Sequence, residues 1–389
     1  MNRKQRRASQ KGRSPSPTLA GDARDPIDLH AAGVEAFRAG DLETAADLIA
    51  RAIAADGQKP TFHYNLAIVL KARGQLREAA ASYERAIALK PDYADAHNNL
   101  GNVLKALGHP DKARASFERA LRLKPGNADT LYSLGVLCSD AGDRDEAASH
   151  FQDCLAQDLD DSRGAGMLLA HLGRRDAPEQ TPQAQLQKIY DVRAQFWDRE
   201  RYFGHALVAD ALKAHAPQAK LDILDIGCGT GLVGALVRPL AGRLDGVDLS
   251  PAMLEKARDK RVYDGLYQAD ITSFLSEHKD SYDAILGAAT LIHVGDLRAL
   301  FQAAALSLRD KGLFIFTLFP DETSSDFAVA RNDRLAQSGC FSHNPAYVER
   351  LASQSGFSVR ALETVVHEYD QDNNPIPGLL VVLQRDHGA

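Results

Sequence analysis

Leu221-Asp222-Ile223-Leu224-Asp225-Ile226-Gly227-Cys228-Gly229-Thr230-Gly231 decides how the C-terminal half of this chain is read. Leu221 to Ile226 is an apolar run of strand length, and the glycines at 227, 229 and 231 end it abruptly. From Leu232 to about Leu240 the pattern turns helical. A glycine loop at a strand-to-helix turn lets backbone approach a ligand closely, and a helix N-terminus there favours an anionic group.

Strand-like runs continue outward from this loop. Arg243 to Asp248 ends in an acid 17 residues beyond Gly231, and Ser250 with Pro251 supplies an N-cap and first turn for the next helix. A third run, about Gly265 to Ala269, leads to Asp270-Ile271; further runs are Tyr282 to Leu286 and Leu313 to Phe319, with a helical stretch from Leu297 to Leu308. Alternation of this kind predicts a parallel sheet covered by helices. Near the end, a helix around Pro345 to Ser355 precedes strands at about Ser358 to Tyr369 and Leu379 to Leu383, separated by the turn cluster Asp370-Gln371-Asp372-Asn373-Asn374-Pro375. These last two strands are expected to form an antiparallel hairpin.

The loop spacing departs from the dinucleotide GxGxxG, because its sixth position is Leu232 and Asp225 precedes the first glycine. Both departures resemble the E/DxGxGxG loop of class I S-adenosylmethionine-dependent methyltransferases. The resemblance spans roughly residues 184 to 389 and implies a Rossmann-like α/β domain, a seven-stranded sheet ending in a C-terminal antiparallel hairpin. It also implies S-adenosyl-L-methionine as cofactor, with Asp225, Gly227, Cys228, Gly229 and Gly231 packing against its methionyl part and adenosine. Asp248, with Leu249 beside it, would accept the ribose hydroxyls, as a carboxylate at a strand end can do in a charge-assisted pair. Asp270, followed by Ile271, would receive the adenine amino group. Upstream, Tyr190-Asp191-Val192-Arg193-Ala194-Gln195-Phe196-Trp197-Asp198 resembles the FDxxAxxYD segment of small-molecule methyltransferases related to ubiquinone and biotin biosynthesis enzymes. There an aromatic lid helix covers the cofactor; Trp197 takes the tyrosine position, and a cationic sulfonium can rest on such a ring. Tyr202 and His205 are further lid candidates.

Methyl transfer from a sulfonium is an in-line displacement, so positioning carries most of the rate. A general base helps when a hydroxyl or amine acceptor must lose a proton. His293 and Asp283 are expected to flank the C-terminal end of the fourth strand and its loop, and His293 is the better base on its ordinary pKa. Asp296 nearby can cap the next helix. No Asn/Asp-Pro-Pro-Tyr follows the fourth strand, where the sequence is Leu286-Gly287-Ala288-Ala289, which argues against methylation of adenine or glutamine amino groups. Two other classes stay open. A nicotinamide-dependent oxidoreductase is disfavoured by Leu232 and by the lack of a Tyr-x-x-x-Lys pair; a non-catalytic scaffold is disfavoured by the complete set of cofactor positions.

The N-terminal half repeats itself every 34 residues. Small residues recur at Gly33, Ala67, Gly101 and Gly135, glycine at Gly40, Gly74, Gly108 and Gly142, and alanine at Ala45, Ala79, Ala113 and Ala147. A bulky residue follows at Ile49, Tyr83, Phe117 and Phe151, then Ala52, Ala86, Ala120 and Cys154; Pro91 and Pro125 close the central units. The pattern resembles the tetratricopeptide repeat (TPR). Small residues let paired helices approach, and the bulky one is expected to fill the gap toward the next unit. An α-helical TPR solenoid of about four repeats over residues 25–172 follows, then a linker at 173–183 and the methyltransferase domain at 184–389. The resemblance implies a protein or peptide partner gripped by an asparagine ladder, Asn65 and Asn99, with Asn98 and Asn102 nearby, since an amide both donates and accepts. Lys71 and Lys105, one period apart, would attract acidic partners.

With 389 residues, 44% of them hydrophobic and 25% charged, the chain has room for two or three domains with ordinary cores. It has no apolar stretch of membrane-spanning length and no apolar signal-peptide core, so the cytoplasm is the expected compartment. The four cysteines form no CxxC pair and no zinc spacing with histidine; free thiols and no metal site are expected. Arg3, Lys4, Arg6, Arg7, Lys11 and Arg13 precede any acid, and taking these six cations out of the net charge of −6 leaves −12 on the rest. Residues 1–24 read as a disordered basic tail without aromatic residues for stacking on nucleic acid.

Overall fold

A computed structural model describes residues 25–199, 202–216, 220–370 and 372–387. The expected basic tail and Gln371 of the turn cluster lie outside these residues. The chain forms two compact units, one ending at Pro125 and the other beginning at Gly126.

The first unit consists of three helical hairpins: α1 (Pro26–Arg38) with α2 (Leu42–Ala55), α3 (Pro60–Ala72) with α4 (Leu76–Leu89), and α5 (Ala94–Ala106) with α6 (Pro110–Leu123). Each first helix ends where Gly40, Gly74 or Gly108 takes a left-handed conformation, φ +81°, +77° and +76°. The residue after each glycine donates its N–H back to the carbonyl of Ala36, Leu70 or Leu104 and closes the helix end. The bulky residue does not fill the gap toward the next unit. It seats on the small residue of its own hairpin: a Cβ on Gly33 would lie 2.6 Å from Ile49, and one on Gly101 would lie 2.5 Å from the Phe117 ring. Close approach within a hairpin leaves room there only for hydrogen, which is why the two columns of the repeat are paired 16 residues apart.

The second unit begins with a fourth hairpin, α7 (Ala128–Asp140) and α8 (Arg144–Gln157), closed by α9 (Ala165–His171). It continues with α10 (Gln183–Arg193), α11 (Gly204–His215), β1 (Leu221–Ile226), α12 (Leu232–Val237), β2 (Ala241–Asp248), α13 (Pro251–Lys260), β3 (Gly265–Gln268), α14 (Ile271–Glu277) and β4 (Tyr282–Gly287). Then come α15 (Arg298–Ser307), β5 (Leu308–Pro320), β6 (Phe327–Val329), α16 (Asp333–Gln337), β7 (Phe341–His343), α17 (Pro345–Gln354), β8 (Phe357–Tyr369) and β9 (Pro375–Arg385). The expected helix to Leu240 stops as an α-helix at Val237 and finishes as one 3₁₀ turn over Arg238–Leu240, because Pro239 supplies no N–H.

Strands β3, β2, β1, β4 and β5 lie side by side in parallel, and β9 joins β5 antiparallel with β8 beyond it. That is the expected seven-stranded sheet with its terminal hairpin. Two three-residue strands add to it: β7 pairs with the tip of β5 at Phe319 and Pro320, and β6 pairs antiparallel with β7. Segments that short carry no readable alternation, so sequence analysis passed over them. Both faces are covered. Leu224, Ile226, Ile285, Phe314 and Phe316 face Leu275, Phe301 and Val348 of α14, α15 and α17; Ile223, Leu244 and Ile315 face Leu212 and Val233 of α11 and α12.

The domain boundary differs from the expected one. The fourth hairpin counts with the α/β part because several ties hold it there. Arg144 donates to the Leu172 carbonyl, Arg174 pairs with Asp145, and His171 bonds both the Ala330 carbonyl and Asp333 of α16. Nor is 173–183 a free linker. Glu179 accepts N–H bonds from Gly295 and Asp296, Gln180 bridges Val294, and Thr181, 1% exposed, donates its N–H to the His293 carbonyl. No helix among the described residues is long and apolar enough to cross a membrane.

Candidate active site

The C-terminal ends of β1, β2 and β4 and the loop after β3 open onto one cavity, the place where ligands bind in open parallel sheets. Its floor is the glycine loop. Gly227, Gly229 and Gly231 all have left-handed φ, +61°, +53° and +88°. A Cβ on Gly227 would lie 2.3 Å from the Thr290 hydroxyl oxygen, so only glycine lets the loop meet the segment after β4. Gly227, Cys228 and Gly229 line the cavity. The Cys228 thiol is buried, and burial raises its pKa well above the usual value, so it is an unreactive wall.

Asp225 and Gly231 are in a different position from the one expected for ligand contacts. Asp225 is 1% exposed beneath the loop and accepts the Tyr263 hydroxyl at 2.6 Å; Gly231 caps α12 against the same tyrosine ring. Neither lines the cavity. Burial pushes the Asp225 carboxyl up to about 7, against the opposing pull of the Tyr263 bond. The acid that opens the motif therefore braces the loop from below.

Asp248 does face the cavity, with Leu249, Asp270 and Ile271. Its two oxygens accept the N–H groups of Gly229 and Ser250, each at 2.8 Å, while burial raises its pKa. Asp270 caps α14 through the Ser273 N–H at 2.9 Å, and Gln183 reaches its other oxygen at 3.4 Å.

Over the cavity stands an aromatic cover. Trp197, on a 3₁₀ turn, lies edge-on to Tyr190 and tilted to Tyr202, each with centroids 5.5 Å apart. All three rings and His205 line the space. Two carboxylates clasp this cover to the sheet: Asp191 accepts the Ser250 hydroxyl at 2.6 Å, and Asp198 accepts from the Thr230 hydroxyl and from Lys260, the latter at 2.7 Å.

The two catalytic candidates separate. His293 lines the cavity; its Nδ1 is 3.0 Å from the Gly339 carbonyl oxygen and its Nε2 2.6 Å from the Tyr190 hydroxyl. Burial pushes its pKa down to about 4, so the ring is neutral. Asp283 is at the opposite, N-terminal end of β4. It accepts the Asp222 N–H at 2.8 Å and two bonds from Arg309 at 3.1 Å, and it is not in the cavity wall. It stitches strand starts together, and its expected role as a base is withdrawn.

Sequence analysis missed Tyr190 as a wall residue, along with Thr290 and Gln183. Tyr190 at least stood inside the quoted lid segment; the other two carry no local signal. In the repeats, the Asn65 side-chain amide meets His30 Nε2 at 2.7 Å and Asn99 donates to the Tyr64 hydroxyl at 2.9 Å, so each amide bridges to the first helix of the preceding hairpin. Lys71 is exposed and Lys105 half-buried, each in the last turn of its helix.

A family model described as a methyltransferase domain matches residues 196–367, and tetratricopeptide-repeat models match 69–108 and 92–160. A malonyl-[acyl-carrier protein] O-methyltransferase of Acetivibrio thermocellus is 32% identical over 111 residues, covering 28% of this chain and 39% of that protein. A ubiquinone biosynthesis O-methyltransferase of Xanthomonas axonopodis is 28% identical over 159 residues, 38% of this chain and 65% of that protein. The chain thus spans less than two thirds of the length of these relatives. Among solved structures, the crystal structure of MamA is 28% identical over 36% of this chain and 81% of that one, with a TM-score of 0.34. Sequence motif, sheet order and family match agree that this chain joins tetratricopeptide repeats to a class I methyltransferase domain.

Proposed function

We propose that the chain is an S-adenosylmethionine-dependent methyltransferase whose repeats bind a protein or peptide partner. One observation carries the cofactor reading: among the described residues lining the cavity there are two carboxylates, Asp248 and Asp270, and no lysine or arginine. Such a wall suits a cationic ligand and opposes the diphosphate of a nicotinamide dinucleotide. The residues also fit by shape, since Gly227 and Gly229 leave backbone open to the space and Trp197 offers an aromatic face to a cation.

Bound there, S-adenosylmethionine supplies a methyl group already activated on a sulfonium. Asp248 retains lone pairs for the ribose hydroxyls after its two backbone bonds. Asp270 holds the adenine amino group, with Leu249 and Ile271 as apolar walls. The Tyr190, Trp197 and Tyr202 cover excludes water, and the rigid loop holds donor and acceptor in line. The repeat motifs support a partner-docking role for the solenoid, through the exposed face that carries Lys71 and the half-buried Asn65, Asn99 and Lys105.

Calorimetry of the full chain with S-adenosylmethionine, S-adenosylhomocysteine and NAD tests this reading. Binding of the first two and not the third is expected. Binding of NAD alone would move the chain to the oxidoreductases, and folded protein that binds none would leave a scaffold.

A further inference from the structure

Resting on the methyltransferase reading of this cavity, we infer that Tyr190 and His293 form a proton-transfer pair that serves a neutral hydroxyl acceptor. The geometry sets the direction of each bond. A carbonyl oxygen only accepts, so the contact between His293 Nδ1 and the Gly339 oxygen at 3.0 Å puts the ring hydrogen on Nδ1. Nε2 is then bare, and the Tyr190 hydroxyl, 2.6 Å away, donates to it. The phenol oxygen keeps its own lone pairs, and both residues line the cavity.

The hydroxyl is not needed for packing. In the FDxxAxxYD pattern, phenylalanine stands where this chain has Tyr190, and a bare ring makes the same edge contact with Trp197. The oxygen is an addition, and it is the atom aimed at His293.

The charge of the wall selects the acceptor. Asp248 and Asp270 are given to the cofactor, and the polar groups left near the pair, Gln180, Gln187 and Thr290, are uncharged. Arg193 lies over the Tyr190 and Trp197 rings at 5.8 and 4.7 Å and is not in the wall. A carboxylate acceptor would enter without a counter-charge and would need no base. A hydroxyl enters without that cost and must shed a proton as it attacks.

In the transfer, the acceptor oxygen bonds to the methyl carbon as the carbon–sulfur bond breaks, both electrons remaining on sulfur. The acceptor proton passes to the Tyr190 oxygen and the Tyr190 proton to His293 Nε2. One positive charge disappears from sulfur as one appears on the imidazole, so the net charge of the cavity is unchanged. That compensates for the burial which otherwise keeps His293 neutral.

The test uses full-length wild type and Tyr190→Phe, each first titrated with S-adenosylhomocysteine by calorimetry. Catechol, a neutral hydroxyl probe, and benzoate, a carboxylate probe, are then titrated onto each complex. Wild type is expected to prefer catechol by about tenfold, and Tyr190→Phe to lose that preference with unchanged affinity for S-adenosylhomocysteine. Nitrogen NMR of His293 should show the Nδ1–H tautomer in wild type and a displaced Nε2 signal in the variant, which a purely packing role would not produce. Failure of wild type to bind S-adenosylhomocysteine overturns the methyltransferase reading. Binding without a preference for catechol, or a preference that Tyr190→Phe retains, overturns the pair.

Discussion

Asp248 at the end of β2 accepts the backbone N–H of Gly229 at 2.8 Å, so the carboxylate and the loop after β1 are set by one bond. The same side chain orders the floor of the cavity and offers its remaining lone pairs to a ligand. Asp248→Ala should weaken S-adenosylmethionine binding by about 1–3 kcal/mol, the usual cost of losing charged hydrogen bonds. Asp248→Asn, which keeps one acceptor oxygen, should lose less. Calorimetry on the two variants decides it, and equal affinity in all three proteins would remove Asp248 from the site.

Trp197 is the chain's single tryptophan, so its fluorescence reports the cover directly. Asp198→Ala removes the acceptor for Thr230 and Lys260 that pins the 3₁₀ turn. Emission should shift to the red and S-adenosylhomocysteine should dissociate about tenfold faster, a change of roughly 1.4 kcal/mol. Stopped-flow release followed at this one fluorophore measures both effects. An unchanged spectrum would mean that aromatic packing alone holds the cover.

Gly101 faces the Phe117 ring, with room for hydrogen only. Gly101→Ala should destabilise the first unit by about 1–3 kcal/mol through overpacking. Gly40→Ala also costs stability, though through its left-handed φ of +81°, since nothing lies within 4 Å of its added Cβ. Thermal unfolding of the two variants, and of Gly101→Ala with Phe117→Leu to restore space, separates crowding from backbone strain: only the first should be rescued.

Truncation after Pro125 should leave cofactor affinity intact, while truncation after Leu172 should lower stability and affinity. The second cut removes Asp129 and Asp145, partners of Lys188 and Arg174, together with His171, the partner of Asp333. Calorimetry and melting curves of the two truncated chains check this. Equal behaviour would return the boundary to residue 172.

Burial holds His293, His343 and His367 at about 4, below the 6.5 of a free imidazole. Above about pH 6.5 both folded and unfolded chains carry these rings neutral, and their full stability contribution is present. As pH falls from there toward 4, the unfolded chain takes protons that the folded one refuses, and stability drops by on the order of 1–3 kcal/mol for each ring. Asp225, pushed up to about 7, acts in the opposite sense, because the folded state takes its proton first as pH falls. Three rings outweigh one carboxyl, so the urea midpoint should be lower at about pH 5 than at about pH 7.5. A midpoint that climbs steadily toward pH 5 would contradict the balance.

Periodic and local features were legible in the sequence. The 34-residue register located the helix pairs and their glycine turns, alternation located β1, β2, β4 and the terminal hairpin, and Ser250-Pro251 announced the start of α13, where the Ser250 hydroxyl accepts the Met253 N–H. Each depends on residues within a few positions of one another. Asp283 was misplaced because a polar residue near a strand start looks the same in sequence as one near its end; Arg309, 26 residues on, decides its partner. The supposed linker, the fourth hairpin's allegiance and the Tyr190–His293 contact across 103 residues were decided by the tertiary structure alone. Side chains brought together by chain folding leave no period behind them, whereas helices and strands repeat their faces every few residues and can be read directly.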